Sequence, residues 1–279
     1  MSLFDRLFSR ASTTTTPVLA LAPPPPPPTV PDVDNDDSGL PHDVRTHLEA
    51  LTRAAELDVD DLLPEEWDAA LTSRLVDSDR LDSTGLDFHY ASAFASHLRE
   101  VLTLDLPSAV ITLPDERVAD RGVRLARLLD RGRRNLQAQM RMSDAELHQV
   151  GHAGRTVQVL VGDSPYTASY ARFLSEAVDR WHPEADQHGG IVFAMPHRHA
   201  LVYQTCATPQ QARDALELVP AQAEAMHADG LSPVSPHLYY WLDRDVTCLT
   251  ERQRDGSLEL RIPPFLAGML RGGRHRAAG

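Results

Sequence analysis

The chain has 279 residues and an ordinary globular composition, 42% hydrophobic and 24% charged, so it can bury a core. Its formal net charge is −13 at pH 7, and residues 32–87, with 17 acids and 4 arginines, hold the whole excess. Such a field disfavours nucleic acid and anionic lipid as partners and favours a basic protein. All 27 basic residues are arginine, which excludes chemistry that needs a lysine, such as Schiff-base formation.

The cysteine and hydropathy patterns bear on the compartment. Cys206 and Cys248 lie far apart and form no C-x-x-C pair, so we expect neither a disulfide framework nor a thiolate metal site. The first 22 residues lack the apolar stretch of a secretory signal, and nowhere do about 18 apolar residues run together. We therefore expect a cytoplasmic protein with no transmembrane segment.

Residues 1–10 are predicted to form an amphipathic tag, because their apolar side chains share one helical face. The apolar residues of the tag are Leu3, Phe4, Leu7 and Phe8. So short a segment is not a stable helix by itself in water, and it would order only on a protein or a membrane surface. Residues 11–40, rich in threonine, proline and aspartate, are predicted to be a disordered linker that contains six consecutive prolines.

Residues 41–105 are predicted to form an acidic helical subdomain. One helix is expected after Pro41, and a second from Glu65, where Trp67, Leu71 and Leu75 face inward. A third is expected over residues 87–102, with apolar side chains three or four positions apart.

Residues 106–265 are predicted to form an α+β domain, because helical segments alternate with hairpins and no repeated β-α-β unit occurs. Residues 116–139 are an arginine-rich helix, and residues 266–279 a basic flexible tail. The other predicted helices are 165–181 and 209–229. The predicted strands are 109–113, 146–161 as a hairpin, 190–195, 200–205, 238–242, 246–249 and 257–262. The fold class that follows is α+β with a mostly antiparallel sheet.

Residues 133–250 resemble a bacterial family of unknown function, the YtpQ-like family. Four segments carry the resemblance: RRNLQ (133–137), GDSPYTAS (162–169), FAMPHRHALVY (193–203) and LSPVSPHLYYW (231–241). The resemblance implies a compact α+β domain. It transfers no catalytic residue, because none is established in the family.

Two turns are candidate sites. Gly162-Asp163-Ser164 is similar to the opening block of GDSL-type hydrolases, in which the serine attacks an ester, but no D-x-x-H block follows. Ser164 as a helix cap, with Pro165 in the first turn, explains the same residues. The second turn is His197-Arg198-His199, whose two histidines would need further ligands to hold a metal ion.

Tyr239 and Trp241 alternate along a predicted strand as one face of it. Core packing and an aromatic peptide-binding shelf both fit this pattern. No complete catalytic set, metal site or cofactor motif is present in the sequence. We therefore predict a non-catalytic protein–protein interaction or regulatory adaptor, inhibitor-like or immunity-like toward a basic partner. The alternative is a hydrolase that uses Ser164 or a histidine metal site.

Overall fold

The computed structural model describes residues 62–107, 109–152, 154–229, 232–253 and 258–272. The described helices are α1 (Pro64–Ala70), α2 (Ser78–Asp82), α3 (Asp115–Ala119), α4 (Leu125–Met142), α5 (Leu174–Trp181), α6 (Pro209–Asp229) and α7 (Pro264–Gly272), with a 3-10 helix at Thr167–Phe173. The described strands are β1 (Leu71–Asp77), β2 (Ser92–Ala95), β3 (Leu98–Leu106), β4 (Ala109–Thr112), β5 (Glu146–His152), β6 (Arg155–Val161), β7 (Ile191–Ala194), β8 (Ala200–Thr205), β9 (Leu238–Leu242), β10 (Asp245–Cys248), β11 (Thr250–Arg252) and β12 (Leu258–Leu260). The fold is α+β, as predicted.

The described strands form three antiparallel sheets. The largest has six strands in the order β10-β9-β7-β8-β6-β5. A four-stranded sheet is built on β3, which pairs with β1 along one edge and with β2 and then β4 along the other. The short strands β11 and β12 pair with each other.

Side chains of the six-stranded sheet alternate between two cores, as the period of two in a strand requires. Phe193 and Tyr239 pack with β1, β3, α4 and the 3-10 helix in one core. Val192 and Tyr240 pack with α6 and α7 in the other. Across the described ranges, every helix is too short or too polar to span a bilayer.

The predicted helical subdomain is wrong over its described part. After the seven residues of α1 the chain enters β1, and the segment predicted as a third helix contains β2 and the first half of β3. Leu71 and Leu75, four apart, share a face of a strand as well as of a helix, so the pattern did not distinguish the two. Residues 41–61 lie outside the described residues.

Further elements also differ from the prediction. The predicted helix 165–181 is the 3-10 helix Thr167–Phe173 followed by α5. The arginine-rich helix is broken into α3 and α4, with Gly122 at φ 61° between them. The predicted flexible tail begins instead as α7, because Leu266 is fully buried against the core beneath α6. The tag (residues 1–10), the linker (residues 11–40) and the last residues (273–279) lie outside the described part of the chain.

Candidate functional site

A cavity of about 280 Å³ lies where the four-stranded sheet meets two loops of the larger sheet. One wall is the end of β1 and helix α2. The other wall contains Arg198, in the turn between β7 and β8, and residues 232–234, which precede β9. Three of the lining residues are Arg74, Arg80 and Arg198.

Arg198 is oriented by the histidine that follows it. The Nδ1 atom of His199 lies 3.2 Å from the carbonyl oxygen of Gly162, which can only accept a hydrogen bond, so Nδ1 carries the proton. Nε2 of His199 is then free to accept, and Nε of Arg198 donates to it at 2.8 Å. The hydrogen bond leaves both Nη groups of Arg198 available to the cavity.

Arg80 and Arg74 enter from the other wall. Nη1 of Arg80 donates to the carbonyl oxygen of Pro233 at 2.8 Å, which connects α2 to the loop before β9. Arg74 projects from β1 on the face opposite Ser73 and Leu75, and it is half-buried. No side-chain hydrogen bond or ion pair holds Arg74 among the described residues.

Positive charge in the cavity is poorly compensated. Asp77 is the one carboxylate among the lining residues, and its Oδ1 atom accepts from the backbone nitrogens of Asp79 and Arg80 at 3.0 and 3.1 Å. Within the described ranges, none of the three arginines is in ion-pair distance of a carboxylate. Burial lowers the pKa of Arg74, and the charges of Arg198 and Arg80 lower it further.

Burial disfavours the charged form of both turn histidines. His197 is only 3% exposed, and burial, followed by the nearby His199, His227 and Arg198, lowers its pKa to about 4. Burial and the charge of Arg198 also lower the pKa of His199, against hydrogen bonds to the carbonyls of Gly162 and Ser164. In the described residues no three His, Cys, Asp or Glu side chains cluster as a metal site would need.

Ser164 lies next to this turn, but its side chain points to its own backbone. The Oγ atom accepts a hydrogen bond from the backbone nitrogen of Tyr166 at 3.2 Å, and no hydrogen bond from Oγ to a histidine is present among the described residues. The helix that follows is a 3-10 helix, and α5 begins only at Leu174. Ser164 therefore acts locally as a turn-stabilising residue.

Replacing Ser164 by alanine is expected to lower the free energy of unfolding by about 1 kcal/mol, because one backbone N–H loses its acceptor. The measurement is chemical denaturation. Ser175→Ala is the matched control: no partner holds the Ser175 hydroxyl in the described residues, so it should be neutral. A loss of ester hydrolysis in Ser164→Ala without a loss of stability would contradict the turn role.

The other predicted partner-binding residues separate in the structure. Tyr239 is fully buried, stacks on Phe193 with ring centroids 5.4 Å apart and has its hydroxyl 2.8 Å from Oγ of Ser235. It cannot be part of an exposed aromatic shelf, which corrects that alternative. Trp241 is half-buried beside Phe94 in a separate cleft. Leu3, Phe4, Leu7 and Phe8 lie outside the described residues.

Sequence reasoning found Arg198 and missed Arg74 and Arg80. Both missed arginines lie in the segment that was predicted to be helical, where charged residues are expected on the solvated face. One signal was available: Arg74 is the single charge in a run of small or apolar residues from Leu71 to Val76. In a strand with both faces covered, such a residue is a candidate for a role beyond solubility.

Comparison with known proteins adds no assignment. No family model, curated protein or solved structure matches the chain.

Proposed function

We propose that the protein is a non-catalytic binding protein that recognises an anionic group in the cavity formed by Arg74, Arg80 and Arg198. The observation that carries this is the convergence of three guanidinium groups on one partly buried cavity, with no ion-pair partner for any of them among the described residues. Uncompensated charge in such a place lowers stability unless a ligand compensates it. Retaining it is the pattern of a binding site.

The proposal keeps the sequence-based prediction of a regulatory or adaptor protein and adds a specific surface to it. A binding role is supported because the arginines supply donors to the cavity, while Ser164, outside its lining, is hydrogen-bonded to its own turn in the described residues. Cys206, the fully buried thiol, has its pKa raised to about 12 by burial, despite a hydrogen bond with Val192 that lowers it. A cytoplasmic location is part of the proposal, since both cysteines are free thiols.

Thermal unfolding of the full chain in increasing phosphate, at constant ionic strength with chloride as the reference, tests the proposal. We expect saturable stabilisation, reaching about 2.7 kcal/mol at a hundredfold excess over the Kd. Arg74→Gln should abolish it. Because no described residue is a hydrogen-bond or ion-pair partner that Arg74 would lose, the same substitution should also raise the stability of the unliganded protein by about 1 kcal/mol.

Arg99→Gln is the matched control. Arg99 lies on β3, on the same face of the sheet as Arg74, but it pairs with Asp82 at 3.5 Å and does not line the cavity. It removes the same formal charge, so a general electrostatic effect would appear in both variants. Equal response of the two variants, or no stabilisation of the unaltered chain by any anion, would refute the proposal.

Binding of a basic partner through residues 32–87 stays a separate prediction, because residues 32–61 lie outside the described part. The docking of the tag and the resemblance to the YtpQ-like family also stay predictions. An electrostatic interface of this kind must weaken as salt screens it. Association that is unchanged from low to high salt would remove the prediction.

A further inference from the structure

The cavity has an apolar side as well as a charged one. Besides the arginines, its lining includes the apolar side chains of Leu81, Leu86, Phe88 and Val234. Leu81 and Phe88 are buried and pack on Val101 of β3, so this side is fixed by the sheet. Leu86 is 56% exposed, and solvent covers it in the unliganded protein. An anion that carries an apolar group could therefore place that group against this side of the cavity.

The number of charges indicates the charge of the ligand. Among the described lining residues, three guanidinium groups face the cavity and Asp77 is the one carboxylate that opposes them, which leaves an excess of two positive charges. A carboxylate or a sulfate ester would neutralise one of these charges, whereas the dianion of a phosphate monoester neutralises both. Arg80 is exposed, but Arg74 and Arg198 are half-buried, and an uncompensated charge costs more at such a position than in water, which strengthens the preference.

The free donors also suit a phosphate group. Arg198 uses its Nε and Arg80 its Nη1 within the protein, and no donor of Arg74 has a hydrogen-bond partner in the described part of the chain. Each of the three guanidinium groups therefore keeps donors for the ligand. Three groups of donors suit the three terminal oxygens of a phosphate, which point in different directions. A planar carboxylate has only two oxygens and would leave donors unpaired. The cavity volume of about 280 Å³ lies just below the usual range of small-molecule sites, about 300–1,000 Å³.

We infer that the ligand is a small phosphate monoester with an aromatic or compact aliphatic body, its phosphate on the three arginines and its body against Leu86 and Phe88. The inference rests on the proposed anion-binding function. It assigns the substituent as well as the charge, and each part is separately testable.

Isothermal titration of the full chain with phenyl phosphate, phenyl sulfate, benzoate and inorganic phosphate at pH 7.5 tests the inference. Phenyl sulfate has the shape of phenyl phosphate with one negative charge fewer, so we expect it to bind about tenfold more weakly. Inorganic phosphate lacks the ring, and it should also bind about tenfold more weakly because the apolar contact is lost. Arg74→Gln should abolish binding of all four probes.

Leu86→Asn separates the two sides of the cavity. Because Leu86 is exposed, the variant should fold normally, lose most of the advantage of phenyl phosphate over inorganic phosphate and bind inorganic phosphate unchanged. The matched control is Leu63→Asn, which alters a leucine of similar exposure, 54%, outside the cavity. It should leave all affinities unchanged.

The failures of the two proposals differ. If no probe binds, the anion-binding function itself is wrong. If all probes bind equally, or if phenyl sulfate and benzoate match phenyl phosphate, the function stands and the phosphate monoester is overturned. If phosphotyrosine blocked at both its amino and carboxyl groups binds more tightly than phenyl phosphate, the natural ligand is a phosphorylated side chain of a protein. The small-molecule source is then overturned.

Discussion

Replacing Glu100 by alanine is expected to lower the free energy of unfolding by about 3–5 kcal/mol, as measured by chemical denaturation. Glu100 is 2% exposed on β3. Nε and Nη2 of Arg133 donate to its two carboxylate oxygens at 2.9 and 2.6 Å, and Ser73 Oγ donates to one of them at 2.6 Å. Arg172 lies 3.4 Å from the same oxygen. Alanine would leave two arginines without the charge that joins α4 and the 3-10 helix to the sheet.

Asp82→Asn is the control for this prediction. It breaks an ion pair with Arg99, the neighbour of Glu100 in the sequence, but both partners are substantially exposed. Exposed pairs contribute about 0–1 kcal/mol, so a small effect is expected. A loss below 1 kcal/mol in Glu100→Ala would show that the buried network adds no more than a surface pair.

The same network predicts a dependence on pH. Burial alone would raise the pKa of Glu100, but the hydrogen bonds from Arg133 and Ser73 and the charges of Arg172 and Arg133 together lower it. A carboxylate with a lowered pKa stabilises the fold above its unfolded pKa, about 4.3, and the stabilisation is lost as pH falls through the folded value. The difference in stability between the unaltered chain and Glu100→Gln should therefore shrink below about pH 4.

The second large effect is expected at Gly189, where alanine should cost about 3 kcal/mol in unfolding experiments. A Cβ atom there would overlap the backbone carbonyl of Cys206 and lie 2.7 Å from Cε of Met269. Because the carbonyl belongs to the backbone, it cannot rotate away as a side chain would. The Tyr240 hydroxyl also donates to the carbonyl oxygen of Gly189 at 2.7 Å, so the turn cannot shift without breaking that bond.

Gly268→Ala provides the opposite expectation with the same chemical change. Gly268 lies in the exposed face of α7, and nothing is within 4 Å of an added Cβ. Alanine is the better helix former, so the variant should be more stable by about 1 kcal/mol. Similar effects of the two substitutions would show that the close approach at Gly189 is not what disfavours a side chain there.

The strands and helices of residues 146–242 were largely predictable. The alternation of Val157 and Val159 with polar neighbours fits a strand and not a helix. The hairpin of β5 and β6 forms as predicted. The helix over 209–229 was also correct in its bounds. These elements have local patterns of one period each, so a short window of sequence is enough to identify them even where their strands pair with distant ones.

The first sheet could not be predicted in the same way. Leu98 and Leu102 are four residues apart, a spacing that places them on one face of either a helix or a strand. The choice depends on pairing, in which Leu75 lies opposite Glu100 across 25 positions of the chain. A pattern read in a short window contains no information on such a partner.

The candidate site shows the same division. The His197-Arg198-His199 turn stood out in the sequence, and so did the lack of any lysine. The sequence by itself determined the α+β class, the excluded lysine chemistry and the strands and helices of the carboxy-terminal half, because each depends on composition or on a local period. Only the tertiary structure decided that Arg74 and Arg80 meet Arg198, because antiparallel pairing and loop packing bring together residues more than 110 positions apart.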